Sequence, residues 1–110
     1  MGKIIVSKNA LAKLAALTTM ECYGVVGLVP VSFTGKVLSL LGKPDLTKGI
    51  NVEIKGKKVF FEIYVVIQSG VKVSEVAKTI INQVRYKLNK LTGIKDIEIK
   101  VIVSGVKREE

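Results

Sequence analysis

Residues 50–68 give the clearest structural signal in the chain, and apolar and polar residues alternate regularly in its first part. Over residues 50–55 every second residue is apolar, which predicts a strand with one buried face. Gly56-Lys57 has the length of a hairpin turn with glycine in the leading position. A second strand is therefore expected over residues 58–68.

This second strand is fully apolar on one face and partly apolar on the other. One face is entirely apolar and should lie in the core, with Val59, Phe61, Ile63, Val65 and Ile67. The opposite face carries a second apolar row, formed by Phe60, Tyr64 and Val66, beside Glu62 and Gln68. Such a pattern is typical of a central strand with two surfaces to cover.

Helical spacing of apolar residues predicts a first helix after Ser7 or Asn9, either of which can cap it. Cys22 falls on the apolar stripe of this helix, so we expect a buried thiol. Gly24 follows where the helical pattern stops, and it is expected to cap the C-terminus in a left-handed conformation.

A second helix is predicted over residues 74–91, where the apolar residues fall within one arc and Gly93 follows as the expected stop. Short strands are predicted before the first helix, over residues 3–7, and after the second, over residues 97–103. Ile102 lies on the face of the last strand opposite to its core residues.

The predicted order is strand, helix, strand, strand, helix, strand within one domain spanning residues 1–110. A single antiparallel sheet with both helices packed on one face would bury these stripes. We therefore expect an α+β fold with the ferredoxin-like split βαβ arrangement. Residues 105–110 are expected to form a frayed polar tail.

Residues 29–48 show no clear period and are interrupted by glycine and proline. They are expected to form a long apolar loop or a short helix. This segment and the second apolar row of the hairpin both need cover, and either the segment folds over the sheet or another copy of the protein covers it. We favour a homo-oligomer, with self-association through Phe33, Leu38, Leu40, Leu41, Phe60, Tyr64 and Val66.

The formal net charge of +9 favours an anionic partner. Candidate contacts are the hairpin tip and the polar face of the second helix, with Lys55, Lys57, Lys58, Lys78, Arg85 and an exposed Tyr86. A nucleic-acid-binding module is the alternative function. Lysines outnumber arginines sixteen to two, which weakens it, because bidentate recognition of phosphates and bases favours arginine.

Candidate catalytic chemistry is sparse. The chain has no histidine and one cysteine, and it shows no paired carboxylates or metal-ligand spacing, so we expect no enzyme, metal site or cofactor. Gly24 and Gly27 have the spacing of an RNA-clamping loop. The residues between them are valines, so a helix cap is the favoured interpretation.

No apolar run in the sequence is long enough to span a membrane, since a spanning helix needs about 20 apolar residues. The longest charge-free run, residues 22–35, is broken by glycine and proline. A cytoplasmic protein is expected.

Three segments resemble the alkaline-shock-protein family of Gram-positive envelope stress proteins. They are GKIIVSKNALAKLAALTTMECYGVVGL, INVEIKGKKVFFEIYVVIQSGVKVSEVA and VRYKLNKLTGIKDIEIKVIVSGV, and the third includes Thr92-Gly93 and residues 103–106. The resemblance implies a non-enzymatic protein linked to cell-envelope homeostasis or alkaline stress, similar to the family's short constitutive branch. It also implies a protein partner that could hold the chain at the membrane.

Overall fold

A computed structural model describes residues 7–29 and 46–108. These residues form helix α1 (Lys8–Met20), strand β1 (Val25–Leu28), a 3-10 turn (Leu46–Gly49), strands β2 (Ile50–Lys55) and β3 (Lys58–Gln68), helix α2 (Val73–Thr92) and strand β4 (Ile97–Lys107). Most of the strand predicted over residues 3–7 lies outside this part of the chain. Ser7, one of the two predicted caps, caps α1, and its hydroxyl accepts the Ala10 N–H at 3.1 Å.

Strand β3 is the centre of a four-stranded sheet. On one edge it pairs antiparallel with β2, from Ile50 opposite Ile63 to Lys55 opposite Lys58. Strand β1 continues the same edge antiparallel, with Leu28 opposite Val65. The other edge of β3 pairs with β4 along residues 59–68.

The α+β class, with two helices and a four-stranded sheet, is confirmed. One pairing differs from the expected arrangement, because β3 and β4 are parallel neighbours and the sheet is mixed. A ferredoxin-like sheet would place another strand between them. Helix α2 gives the chain the long crossover that directly adjacent parallel strands need.

The first helix ends earlier than predicted. The Glu21 N–H bonds the Thr18 carbonyl at 3.1 Å and the Cys22 N–H bonds the Thr19 carbonyl at 3.0 Å, so the last turn tightens to 3-10 spacing. Gly24 is left-handed, with φ of 91°, but it leads into β1 rather than capping the helix. The expectation of a helix cap at Gly24 is therefore wrong, and β1 was not predicted.

The hairpin and the second helix follow the prediction closely. Gly56, with φ of 60°, begins the two-residue turn between β2 and β3. Helix α2 ends at Gly93, whose φ of 79° is the left-handed conformation expected of a C-terminal cap.

Strand β4 extends four residues beyond its predicted end. The register of β3 and β4 shifts between Val65 and Val66, and Gly105 then pairs with Val66. This irregularity lets pairing continue to Lys107, whose carbonyl accepts the Ser69 N–H at 2.9 Å. The frayed tail predicted over residues 105–110 is therefore wrong for residues 105–107.

Both helices pack on the same face of the sheet. The core contains the five predicted residues of β3, and the buried side chains of the helices lie against them. Helix α2 contributes Val76, Ile80, Val84 and Leu88, and α1 contributes Leu11, Ala12, Ala15 and Ala16. The opposite face of the sheet therefore lies on the far side from both helices.

Candidate functional surfaces

The outer sheet face, defined here as the face opposite to the helices, carries the second apolar row. Phe60, Tyr64 and Val66 of β3 are half-buried, and Tyr64 has Ile102 beside it on β4. Val66 has glycine neighbours on both sides, Gly27 on β1 and Gly105 on β4. The glycines have no side chains to flank it, so these two neighbours leave the sides of the Val66 side chain uncovered.

Positively and negatively charged residues surround Phe60 on this face in equal numbers. They are Glu53, Glu62 and Glu98 together with Lys55, Lys58 and Lys100, and most of them line a groove of about 390 Å³ over the ring. The ammonium groups of Lys55 and Lys58 lie 5.9 and 5.7 Å from the ring centroid, within cation–π range. Lys58 also lies 3.7 Å from Glu98. The rim of the aromatic ring is therefore formally neutral in a chain of net charge +9.

Glu62 is held in place inside this rim. The Asn51 side-chain amide donates to its carboxylate at 3.1 Å and the Tyr64 hydroxyl does so at 3.5 Å. These bonds give the face fixed donors and acceptors around its apolar centre.

Some of the residues predicted for self-association lie together on one face in the structure. Phe60, Tyr64 and Val66 share the outer sheet face, as their spacing predicted. Phe33, Leu38, Leu40 and Leu41 lie outside the described residues, so their role stays a prediction.

The six candidates for an anionic partner do not form one surface. Lys55 lines the groove over Phe60, whereas Lys58 lies over the same ring and also contacts Asp96 at 3.8 Å. Lys78, Arg85 and Tyr86 belong to α2, which packs on the other face of the sheet, and Lys57 lies exposed at the hairpin tip. The density of lysines along the sequence could not show this separation. The separation depends on the face of the sheet on which each strand residue lies.

The helical layer, defined here as the outward faces of α1 and α2, forms a second surface. Tyr86 is 58 % exposed, as predicted, and the ammonium of Lys90 lies 5.6 Å from its ring centroid. Leu17 on α1 is 54 % exposed and was missed by the sequence reasoning. Its signal was the spacing of Lys13, Leu17 and Glu21, which recur every four residues beside the buried stripe.

An ion pair joins the two helices across this layer. The Lys87 ammonium on α2 lies 3.7 Å from the Glu21 carboxylate at the end of α1. Arg85 instead reaches the side of β4, where its guanidinium donates to the Ile97 carbonyl at 3.4 Å.

Cys22 is buried and its thiol is 3.5 Å from the Thr18 carbonyl. Burial raises the pKa of the Cys22 thiol above its ordinary value, and the nearby Glu21 carboxylate raises this pKa further. The thiol therefore stays protonated at neutral pH, when it is a weak nucleophile.

Within residues 7–29 and 46–108, no group of three or more acidic, cysteine or histidine side chains could hold a metal ion. The same residues contain no helix with the length and hydrophobicity needed to cross a membrane.

The chain is similar to other proteins over nearly its full length. It is 27% identical over 107 residues to the uncharacterized protein YloU of Bacillus subtilis (strain 168), covering 96% of this chain and 89% of that protein. It is 31% identical over 107 residues to the uncharacterized protein Spy1614 of Streptococcus pyogenes serotype M6, covering 96% and 88%. No solved structure shows significant similarity to the chain.

The sequence model of the ASP23 family, which is the alkaline shock protein family and is described as having a cell envelope-related function, matches residues 1–108. This match covers every element of the fold, from α1 to β4, and agrees with the resemblance carried by the three sequence segments. The chain therefore belongs to the alkaline shock protein family, whose function is related to the cell envelope.

Proposed function

We propose that this protein is a non-catalytic, cytoplasmic interaction protein of the cell envelope, acting through self-association and through protein partners. The observation that carries the proposal is the apolar row on the outer sheet face, where Phe60, Tyr64, Val66 and Ile102 lie on the side away from both helices. Apolar surface that a protein's own helices leave uncovered is typical of interaction sites.

The charges around Phe60 support a second copy of the chain as the occupant of this face. Three carboxylates and three ammonium groups surround the ring, so two copies related by a two-fold axis can place opposite charges against each other. An acidic partner would gain little from a neutral rim. In such an interface the apolar centre supplies most of the affinity and the charged rim sets the orientation.

The state of Cys22 supports a role without catalysis. It is the only thiol in the chain. Its burial and raised pKa keep it in the protonated form, which makes it unsuitable as a nucleophile.

Multi-angle light scattering of the purified chain at micromolar concentration tests the proposal. We expect a mass of at least twice the 11.9 kDa of one chain. The double variant Tyr64→Glu with Val66→Glu should shift the mass to that of a monomer, because it places two carboxylates in the apolar centre. Tyr86→Glu with Leu17→Glu is the matched control, since it also places two carboxylates at apolar positions, here on the helical layer, and should leave the mass unaltered.

Circular dichroism establishes that each variant is folded before its mass is interpreted. A monomeric wild-type chain at these concentrations would overturn the proposal. So would an unchanged oligomeric mass in the folded double variant, because the oligomer would then use another surface.

A further inference from the structure

We infer that the helical layer binds directly to the surface of an anionic lipid membrane. This inference goes beyond the proposed self-association and concerns the opposite side of the molecule. A lipid surface is one kind of anionic partner, and the distribution of charges and exposed apolar side chains favours it over nucleic acid.

The helices carry +4 of the chain's net charge of +9. Residues 8–21 and 73–92 carry six cations, Lys8, Lys13, Lys78, Arg85, Lys87 and Lys90, against the two acids Glu21 and Glu75, which gives a net charge of +4. The rim around Phe60 has three of each sign and a net charge of zero. Of these two faces the helical one is therefore the positive one, and an anionic surface should contact it rather than the outer sheet face.

Exposed apolar side chains lie among these cations. Leu17 is 54 % exposed and Tyr86 is 58 % exposed, and each is on the outward side of its helix. A tyrosine beside a lysine suits the headgroup region, where an apolar body and a polar tip are both accommodated. Membrane-surface helices bind through this combination of buried apolar area and attraction to anionic lipid.

The two helices present these groups as one surface. Glu21 continues the row of Lys13 and Leu17 on α1, and its 3.7 Å contact with Lys87 brings that row beside α2. The layer is therefore two helices wide. A lipid surface can contact both helices at once.

Nucleic acid fits the same surface less well. Five of the six helical cations are lysines, which act as point charges, whereas bidentate phosphate and base contacts favour arginine. Arg85, the one arginine among these six cations, already donates to the Ile97 carbonyl. Leu17 offers no hydrogen bond or stacking platform to a nucleotide, but it can enter the headgroup boundary of a bilayer.

Co-sedimentation with phosphatidylglycerol-containing vesicles and with pure phosphatidylcholine vesicles tests the inference. A gel mobility shift with a single-stranded RNA measures nucleic-acid binding beside it. We expect binding to the anionic vesicles that weakens as salt is added, with little binding to the neutral vesicles. Each lysine near an anionic surface contributes about fivefold in partitioning, so Lys13→Gln with Lys90→Gln should reduce binding roughly 25-fold.

A second double variant distinguishes binding through the helical layer from binding through the total charge of the protein. Lys57→Gln with Lys107→Gln removes the same two charges from the hairpin tip and the end of β4, so both double variants fall from +9 to +7. We expect the second pair to retain most of the binding. Equal losses in the two pairs would overturn the inference, because binding would then follow net charge alone.

Tryptophan fluorescence gives a second, independent test of contact between the helical layer and the vesicles. The chain contains no tryptophan, so Tyr86→Trp introduces a single reporter on the helical layer. Its emission should shift to the blue with anionic vesicles, while Tyr64→Trp on the outer sheet face should not shift. No shift at Tyr86→Trp, or RNA binding in the absence of vesicle binding, would overturn the inference. Vesicle binding does not depend on the oligomer mass, so the two proposals can fail separately.

Discussion

Cys22 shows how a single residue is fixed by the end of a helix. It follows the 3-10 turn that closes α1, and its side chain is only 8 % exposed. Both causes of its raised pKa, burial and the Glu21 carboxylate, disfavour the thiolate.

We expect the folded protein to react slowly with a disulfide reagent at pH 8 and to react rapidly in denaturant. The reason is that thiol exchange requires an accessible thiolate. Ser104→Cys in a Cys22→Ala background provides an exposed thiol as the control. Equal rates for Cys22 in the folded and denatured chain would contradict the burial seen in the structure.

The same pKa predicts a pH dependence of stability. A thiol whose pKa is raised by folding contributes its full stability below the unfolded pKa, near its ordinary value of 9.0, and loses that contribution as the pH rises through the folded value. The advantage of the wild type over Cys22→Ala in free energy of unfolding should therefore shrink above pH 9. Urea unfolding at pH 7 and pH 10 measures it, and an advantage that grows with pH would contradict the sign.

Gly49 is a residue whose lack of a side chain is required by close packing. A Cβ there would lie 2.8 Å from the Leu28 Cβ and 3.0 Å from the Val29 carbonyl oxygen. Gly49→Ala should cost about 1–3 kcal/mol of unfolding free energy, because the backbone must move to admit the methyl group. Gly27→Ala is the control, since a Cβ there meets nothing within 4 Å. Equal destabilisation of the two variants in thermal or urea unfolding would refute this account.

At the scale of elements, α2 depends on one row of four buried residues. Ile80 and Val84 are fully buried against the sheet, whereas Asn82 on the same helix is exposed. Helix formation by itself contributes little compared with the packing of this face.

Ile80→Ala should therefore lower the unfolding free energy by about 2–5 kcal/mol, through lost burial and the cavity it leaves. Asn82→Ala should change the stability by less than about 0.5 kcal/mol, as is usual for surface positions. Urea unfolding of both variants compares them. A small loss for Ile80→Ala would mean that α2 is not anchored by this row.

The elements that sequence predicted well are those whose signals are local. The hairpin has a two-residue turn with glycine at positive φ, and α2 has an apolar arc closed by Gly93. The end of α1 and the extension of β4 were not predicted. Two i to i−3 hydrogen bonds end α1, and a register shift opposite Val65 and Val66 prolongs β4, so both depend on backbone geometry that periodicity does not report.

At the scale of the whole molecule, periodicity indicates which face of a strand is buried but not which strand lies beside it. A helix between β3 and β4 is compatible with adjacent parallel strands and with a strand inserted between them, and the structure has the adjacent pair. For the same reason, only part of the outer sheet face was predicted. Its apolar row follows from alternation along β3, whereas its neutral rim depends on register with β2 and β4.

The placement of both helices on one side of the sheet determines how a dimer would meet its surroundings. If two outer sheet faces pair, the helical layers point in opposite directions, and one bilayer can be contacted by only one of them. The dimer would then act as a bivalent cross-linker between two membranes, and it would not bind a single membrane through both of its helical layers.

We therefore expect the wild type to cluster phosphatidylglycerol vesicles, seen as a rise in turbidity. Tyr64→Glu with Val66→Glu should still bind the vesicles but leave them dispersed. Clustering that persists with this monomeric variant would show that a single copy bridges vesicles without its sheet face.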